Sequence, residues 1–371
     1  MANIKLAFFV VLALCSSLPL RLHALSQQIP KIDAIYQFGD SISDTGNLIR
    51  ESPIGEHTTF ARLPYGQTYF HKPTGRCSNG LLMIDFFARY LKLPFLDAYL
   101  NEAGNFTHGV NFAVAGSTAL DTSTLTAKNI TSPVTNSSLS VQMAWFRSHL
   151  HSICPNPKDC KTKIAKSLFI IETGGNDFNY AFFGRKTMNE VQQMVNEVIQ
   201  AITSSVKEVI GFGATKVVIP GNFAIGCMPI YLSAFKTSDS NMYDELQCLK
   251  GLNGFATFQN DQLQVAIKEL QEQNPNVAIV YADYFNALKG LLQNAASNGF
   301  EKDDVQKTCC GIGDNKYNFN ITRMCGNNGV PVCHDPSKLV SWDGVHMTQH
   351  AYRVMAKGLF KQIVRGISNQ E

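Results

Sequence analysis

The sequence predicts a parallel, doubly wound α/β sheet, on three observations. Five short runs are apolar on both faces, as strands covered by helices on either side must be: Ile32 to Phe38, Val110 to Val114, Ser167 to Glu172, Lys216 to Pro220, and Val277 to Tyr281. Longer segments between them repeat apolar residues every three or four positions, as amphipathic helices do. No internal repeat, low-complexity linker or composition break divides the chain, so residues 25–371 read as one domain.

The elements follow in order. Lys5, the apolar stretch Leu6 to Leu14 and the small residue Ala24 make residues 1–24 a secretory signal peptide, since a basic start, a short apolar core and a small cleavage residue are what such a segment needs. Leu81 to Leu91 forms a helix between the first two strands. Met188, Val191, Val195, Val198, Ile202, Val206 and Val209 define a long one between the third and fourth, and Leu246 to Leu270 another before the fifth. A last helix starts at about Thr348. The stretch Glu301 to Val340 lacks periodicity and carries Cys309, Cys310, Cys325 and Cys333, which reads as an ordered, cross-linked loop.

Composition narrows the function. Hydrophobic residues at 45% supply a large core, and Lys+Arg 32 against Asp+Glu 29 gives only +3, too near neutral to favour nucleic acid or an anionic membrane as partner. After the N-terminal segment no apolar run is long enough to span a bilayer. Asn105, Asn129, Asn136 and Asn320 each begin an N-x-[ST] sequon in a polar stretch, in keeping with glycosylation in the secretory pathway, ending at the apoplast or the vacuole. Ten cysteines include Cys15 in the signal segment, so at least one of the remaining nine has no partner in a monomer. Cys154 and Cys160 flank a proline-containing loop. Without a C-x-x-C pair or a zinc-finger spacing these cysteines read as disulfide staples rather than metal ligands, with connectivity left open.

Ligands of open α/β sheets sit outside the carboxyl ends of the strands. Four segments there carry unusual residues. Gly39-Asp40-Ser41 follows the first strand and would expose the Ser41 hydroxyl at the start of a helix, although on that segment alone an N-cap is the plainer reading. Ala115-Gly116-Ser117 follows the second and offers the Gly116 N–H. Gly174-Gly175-Asn176-Asp177 follows the third and offers the Asn176 amide; taken alone it reads as a turn. Near the C-terminus, Trp342-Asp343-Gly344-Val345-His346 places a carboxylate three residues before a histidine, the natural base near neutral pH. Met347 stands where an H-E-x-x-H zinc motif needs glutamate, so His346 and His350 are not read as metal ligands. Together these segments supply a nucleophile, a base, an orienting acid and oxyanion donors, the set that acyl transfer needs. The absence of G-x-S-x-G sets this apart from the ordinary nucleophile elbow.

The blocks YQFGDSISDTGN, PYGQTYF, PTGRCSNG, VNFAVAGSTAL, GGNDFNYAF, VIPGNFAIGC, YADYFNA, CCGIG, GVPVC and WDGVHMTQHAYR, in this order from Tyr36 to about Lys361, resemble the plant GDSL esterase/lipase family of SGNH hydrolases. The resemblance implies a three-layer α/β/α sandwich and no cofactor. It assigns Ser41 as nucleophile, His346 as base and Asp343 as its orienting acid, with the N–H groups of Ser41 and Gly116 and the Asn176 side chain as the oxyanion hole. HGVNFAVAGSTALD and GRCSNGLLMIDFFA are similar to a branch containing an alkaloid deacetylase, which implies a small-molecule ester as substrate, such as the acetyl ester of a plant specialised metabolite. An acyltransferase would use the same residues. Asn79 replaces an aspartate common in the family, a departure confined to local loop structure, and Cys77 is the expected odd thiol. Pocket walls are expected from Pro64 to Asn79, Leu120 to Asn136 and Phe178 to Phe183. Oligomeric state is not legible.

Overall fold

A computed structural model describes residues 31–154 and 156–370; the signal segment expected at residues 1–24, with Cys15, lies outside the described residues. Among the described residues five strands form one all-parallel sheet: β1 Ala34–Gly39, β2 Gly109–Asn111, β3 Ser167–Glu172, β4 Lys216–Pro220 and β5 Ala278–Ala282. Each coincides with an apolar run read from the sequence. Every residue of β1, β2 and β3 is buried, as expected of a sheet covered on both faces. β2 is the one markedly shorter than its run, yet Phe112 and Val114 still donate N–H bonds to the Gln37 and Gly39 carbonyls, so the extended chain follows β1 beyond the regular ladder.

The helices are α1 Met83–Tyr90, α2 Thr122–Ala127, α3 Leu139–Ile153, α4 Pro157–Ala165, α5 Gly175–Phe183, α6 Met188–Gly211, α7 Pro229–Ala234, α8 Lys250–Gln273, α9 Tyr284–Gln293 and α10 Gln349–Ser368. In one group α3 packs on α6 and α6 on α8; in the other α1 and α9 pack on α10, which lies against β5. The amphipathic stripe of α6 buries Val191, Val195, Val198, Ile202, Val206 and Val209, the residues whose spacing announced it. Thr187 starts that helix by accepting the Glu190 N–H, and Thr348 starts α10 by accepting that of Ala351. Both use a side-chain oxygen to satisfy a backbone donor that the first turn leaves free.

The strand order is β2-β1-β3-β4-β5. From β1 the chain moves to one side for β2, then crosses to the other for β3. This switch point, at the carboxyl ends of β1 and β3, is where an open sheet leaves a crevice for a ligand. Disulfides join Cys154–Cys160, Cys227–Cys248, Cys309–Cys333 and Cys310–Cys325, and among the described residues Cys77 is the free thiol, and it is buried. The segment from Glu301 to Val340 is therefore cross-linked as its composition suggested. Its backbone continues the cross-links towards the switch point, because the N–H of Cys309 donates to the Ser341 carbonyl and that of Cys310 to Trp342. Among the described residues no helix is long and apolar enough to cross a membrane.

Candidate active site

Ser41 follows β1 in a single tight turn, in which the N–H groups of Ser43 and Asp44 both donate to the Asp40 carbonyl. The helix expected to begin at Ser41 does not form; a short 3-10 turn at Leu48–Arg50 is the next helical piece. Asp44 accounts for the difference. Its carboxylate accepts N–H bonds from Gly46 at 2.6 Å, Asn47 at 2.6 Å and Leu48 at 3.0 Å, an alternative to helical bonding that turns the chain away. The N-cap reading of Ser41 fails with the helix. Its hydroxyl instead lies 2.7 Å from Nε2 of His346.

His346 and Asp343 share the loop before α10. Nδ1 of His346 is 2.7 Å from Oδ2 of Asp343. A carboxylate can only accept, so Nδ1 carries the proton and Nε2 is left to accept from Ser41. The other oxygen of Asp343 takes the backbone N–H of His346 at 2.7 Å and of Val345 at 2.9 Å, while Tyr65 donates its hydroxyl to Oδ2 at 2.8 Å. Asp343 is 1% exposed and His346 4%. Burial alone would raise the Asp343 carboxyl; the charge of His346 and the hydrogen bonds to it outweigh burial and hold it below its ordinary value.

Gly116 and Asn176 face the same crevice. Gly116 has φ +84, which an L side chain rarely adopts, and a Cβ there would overlap Val134. Tyr180 fixes the Gly116 peptide by donating to its carbonyl at 2.8 Å. Among the described residues, neither the N–H of Ser41 nor that of Gly116 is taken by an intramolecular acceptor. Gly174, at φ +102, lets the chain leave β3 and enter α5 at once, so GGND is the first turn of a helix rather than a loop turn. The amide nitrogen of Asn176 donates to the Ser117 carbonyl at 2.9 Å and lies 3.5 Å from Oδ2 of Asp40, while its oxygen accepts from Asn179 at 3.1 Å, which sets the amide's orientation.

Asp177 went unremarked in the sequence although it stands beside Asn176. It accepts the N–H groups of Ala119 at 2.8 Å and Leu120 at 2.9 Å, tying α5 to the loop that carries Gly116. Burial pushes its carboxyl up to about 7 despite those donors. Gln142 adds a second tie: its amide accepts the Gly39 N–H and donates to the Gly39 carbonyl and the Ser117 hydroxyl, each within 2.9 Å. Burial raises Asp40 and Glu172 as well, and for Glu172 the charge on Asp40 adds to it.

A cavity of about 380 Å³ opens over Ser41, Gly116, Asn176 and His346. Two of the three expected loops wall it, through Pro133 and Val134 and through Asn179, Tyr180 and Phe183. The third does not: Pro64 to Asn79 turns inward, giving Tyr65 to Asp343 and Arg76 to a bidentate ion pair with Asp85, and Phe60 just ahead of it lines the cavity instead. The remaining wall, from Phe223 to Tyr231 with Ile321 and Met324, comes from segments whose sequence carried no sign of it. Asn79 donates to Thr68 and accepts the Gln349 N–H, so it bridges its loop to the start of α10. Asn105, Asn129, Asn136 and Asn320 are exposed.

A serine hydroxyl bonded to a carboxylate-supported imidazole, beside free N–H groups in an apolar cavity, is equipped for acyl transfer. The sequence profile of the GDSL-like lipase/acylhydrolase family matches residues 35–359. A GDSL esterase/lipase of Arabidopsis thaliana is 46% identical over 337 residues, covering 90% of this chain and 87% of the relative. Two proteins of Rauvolfia serpentina are similarly related. Acetylajmalan esterase is 44% identical over 336 residues, 90% of this chain and 86% of its own. Acetylajmalan esterase 1 is 44% identical over 338 residues, 91% and 88%. The extent of the match, on a sheet that brings the family's motifs to one crevice, makes this chain a member of the GDSL-like lipase/acylhydrolase family and a serine-type carboxylic ester hydrolase.

Proposed function

We propose that Ser41 is the nucleophile, His346 the general base and acid, and Asp343 the residue that orients His346, in an esterase acting on small soluble esters. The observation that carries this reading is the continuous chain of two 2.7 Å contacts from Asp343 through His346 to Ser41. In the first half-reaction the Ser41 oxygen attacks the ester carbonyl carbon while its proton passes to Nε2, and Asp343 stabilises the imidazolium. The carbonyl oxygen becomes an oxyanion that accepts from the N–H groups of Ser41 and Gly116 and from the Asn176 amide. That amide's 3.5 Å approach to Asp40 is too long to compete with an oxyanion for its hydrogen. Collapse expels the alcohol, which leaves with the proton from Nε2. Water then repeats the sequence on the acyl-enzyme, releasing the acid and restoring Ser41.

The cavity favours a compact, mostly apolar ester, and two relatives are named for hydrolysis of acetylajmalan, so we assign the acetyl ester of a plant specialised metabolite such as an alkaloid as the substrate class. The four disulfides suit an oxidising compartment. With the signal-like N-terminus and exposed sequon asparagines, they support passage through the secretory pathway as a glycoprotein. The test is a screen of the purified protein against acetylated and methylated metabolites, with and without acceptor alcohols and amines, read by mass spectrometry. Release of acetate and the free alcohol supports the reading; acyl transfer to an acceptor in preference to water replaces it with an acyltransferase, and no turnover of any acetyl ester removes the substrate class.

A further inference from the structure

We propose that the Tyr65 hydroxyl is a positioning donor that sets the basicity of His346 by competing with it for Oδ2 of Asp343. The proposal rests on the triad assigned above and goes beyond it. Tyr65 and Nδ1 of His346 donate to the same oxygen, at 2.8 and 2.7 Å, while the other oxygen is occupied by two backbone N–H groups. Each added donor draws charge from the carboxylate, so less is available to stabilise an imidazolium. Tyr65 is wholly buried, 278 residues from Asp343 in sequence, and its ring is held edge-on between Phe60 at 5.0 Å and Trp342 at 6.2 Å. Phe60 in turn meets the His346 ring edge-on at 5.8 Å, so one aromatic wedge fixes both the donor and the imidazole. A donor already held by this packing costs little ordering entropy to use.

The wedge explains why the segment Pro64 to Asn79 runs inward rather than lining the cavity. Burial, and after it the Asp343 charge, hold the phenol well above its ordinary pKa, so it remains a donor throughout the working range. The consequence is a carboxylate oxygen permanently shared between the phenol and the imidazole.

Other ionisable groups face this cluster: Asp40 from the turn after β1, the Cys77 thiol beside Tyr65, and Tyr352 from α10 beside Asp343. Cys77 and Tyr352 are raised well above their ordinary values by burial and do not titrate near neutrality; Asp40, pushed up to about 6, does. A readout on the imidazole itself is therefore needed.

The experiment uses the glycosylated, disulfide-bonded enzyme. The Nδ1 proton of His346 is titrated by proton NMR, and kcat/KM for p-nitrophenyl acetate is followed against pH, in wild type and Tyr65→Phe. Loss of one hydrogen bond to the carboxylate should raise the His346 midpoint by about 0.5–1 pH unit, with the acid limb of kcat/KM moving by the same amount and KM unchanged. A uniform fall in rate with the midpoint in place would mean that Tyr65 only supports the fold and would overturn the proposal, as would no change at all. Should Tyr65→Phe fold poorly, 3-fluorotyrosine at position 65 keeps the shape and strengthens the donor, and the midpoint must then fall; a rise or no change contradicts the proposal. Fluorophosphonate labelling of wild-type Ser41 is run alongside, so that failure of the triad assignment is seen separately from failure of this one.

Discussion

Oδ2 of Asp44 accepts the backbone N–H of Ala115 at 2.8 Å, joining two residues 71 positions apart in the chain. That bond fastens the turn carrying Ser41 to the loop carrying Gly116, which follow different strands. Asp177 makes the corresponding join between α5, which carries Asn176, and the same loop. Two buried acidic side chains thus fix the three proposed oxyanion donors relative to one another before any substrate arrives, the preorganisation that such a role would need.

If Asn176 donates to the oxyanion, Asn176→Ala should lower kcat by about 10²–10³. KM should change little, because the bond strengthens as charge develops on the carbonyl oxygen. Steady-state kinetics on a soluble acetate ester checks this, and an unchanged kcat removes Asn176 from the site.

Asp343→Asn should lower kcat by about 10⁴, the scale seen when a triad carboxylate becomes an amide. The amide nitrogen can donate to Nδ1, leaving the proton on Nε2, where it cannot accept from Ser41. Circular dichroism should show the fold retained while turnover is lost; turnover within tenfold of wild type would contradict the role.

The sheet was legible because its strands are covered on both faces, so each is an uninterrupted apolar run whatever its neighbours. The candidate site was legible in the residues it brings to one crevice, since Ser41, Gly116, Asn176, Asp343 and His346 stand at strand ends or in short motifs. Their supports were harder to read. Tyr65 acts on Asp343 from 278 positions away, and nothing local distinguishes a phenol in PYG from a core tyrosine. The turn at Ser41 was misread because Asp44, three residues on, captures the donors that a helix would have used. The cavity wall near Phe223, Tyr231 and Ile321 depends on how loops from distant segments pack, which no local spacing encodes.

Asp177 should leave a mark on stability against pH. Its folded pKa, about 7, lies above the ordinary 3.8, so the folded protein keeps a proton the unfolded chain has lost. Stability from this group is complete below about pH 3.8 and is lost as pH rises through 7, by up to about 4 kcal/mol for a shift of roughly three units. His149, lowered to about 4 by burial and by Lys163, works the other way between pH 4 and 6.5. Comparison of wild type with Asp177→Asn isolates the effect: in urea unfolding, the variant should gain on wild type by several kcal/mol between pH 4.5 and 7.5. A difference independent of pH would refute it.

The Cys310–Cys325 bridge closes a loop with a sequence separation of 15, and the N–H of Cys310 holds the Trp342 carbonyl next to Asp343. The paired substitution Cys310→Ser with Cys325→Ser should cost about 3 kcal/mol in chemical unfolding. Activity should also fall below that of wild type at temperatures where the variant remains folded, because the loop under Asp343 is no longer pinned. Equal stability would show that the bridge adds no constraint.

The most direct test of the central claim is the rate of p-nitrophenyl acetate hydrolysis by Ser41→Ala, measured on protein shown to be folded by its thermal transition. With the nucleophile gone, kcat should drop by several orders of magnitude, to the residue left by binding and oxyanion donors alone. Turnover near that of the wild type would mean that the serine bonded to His346 is not the group that attacks the ester.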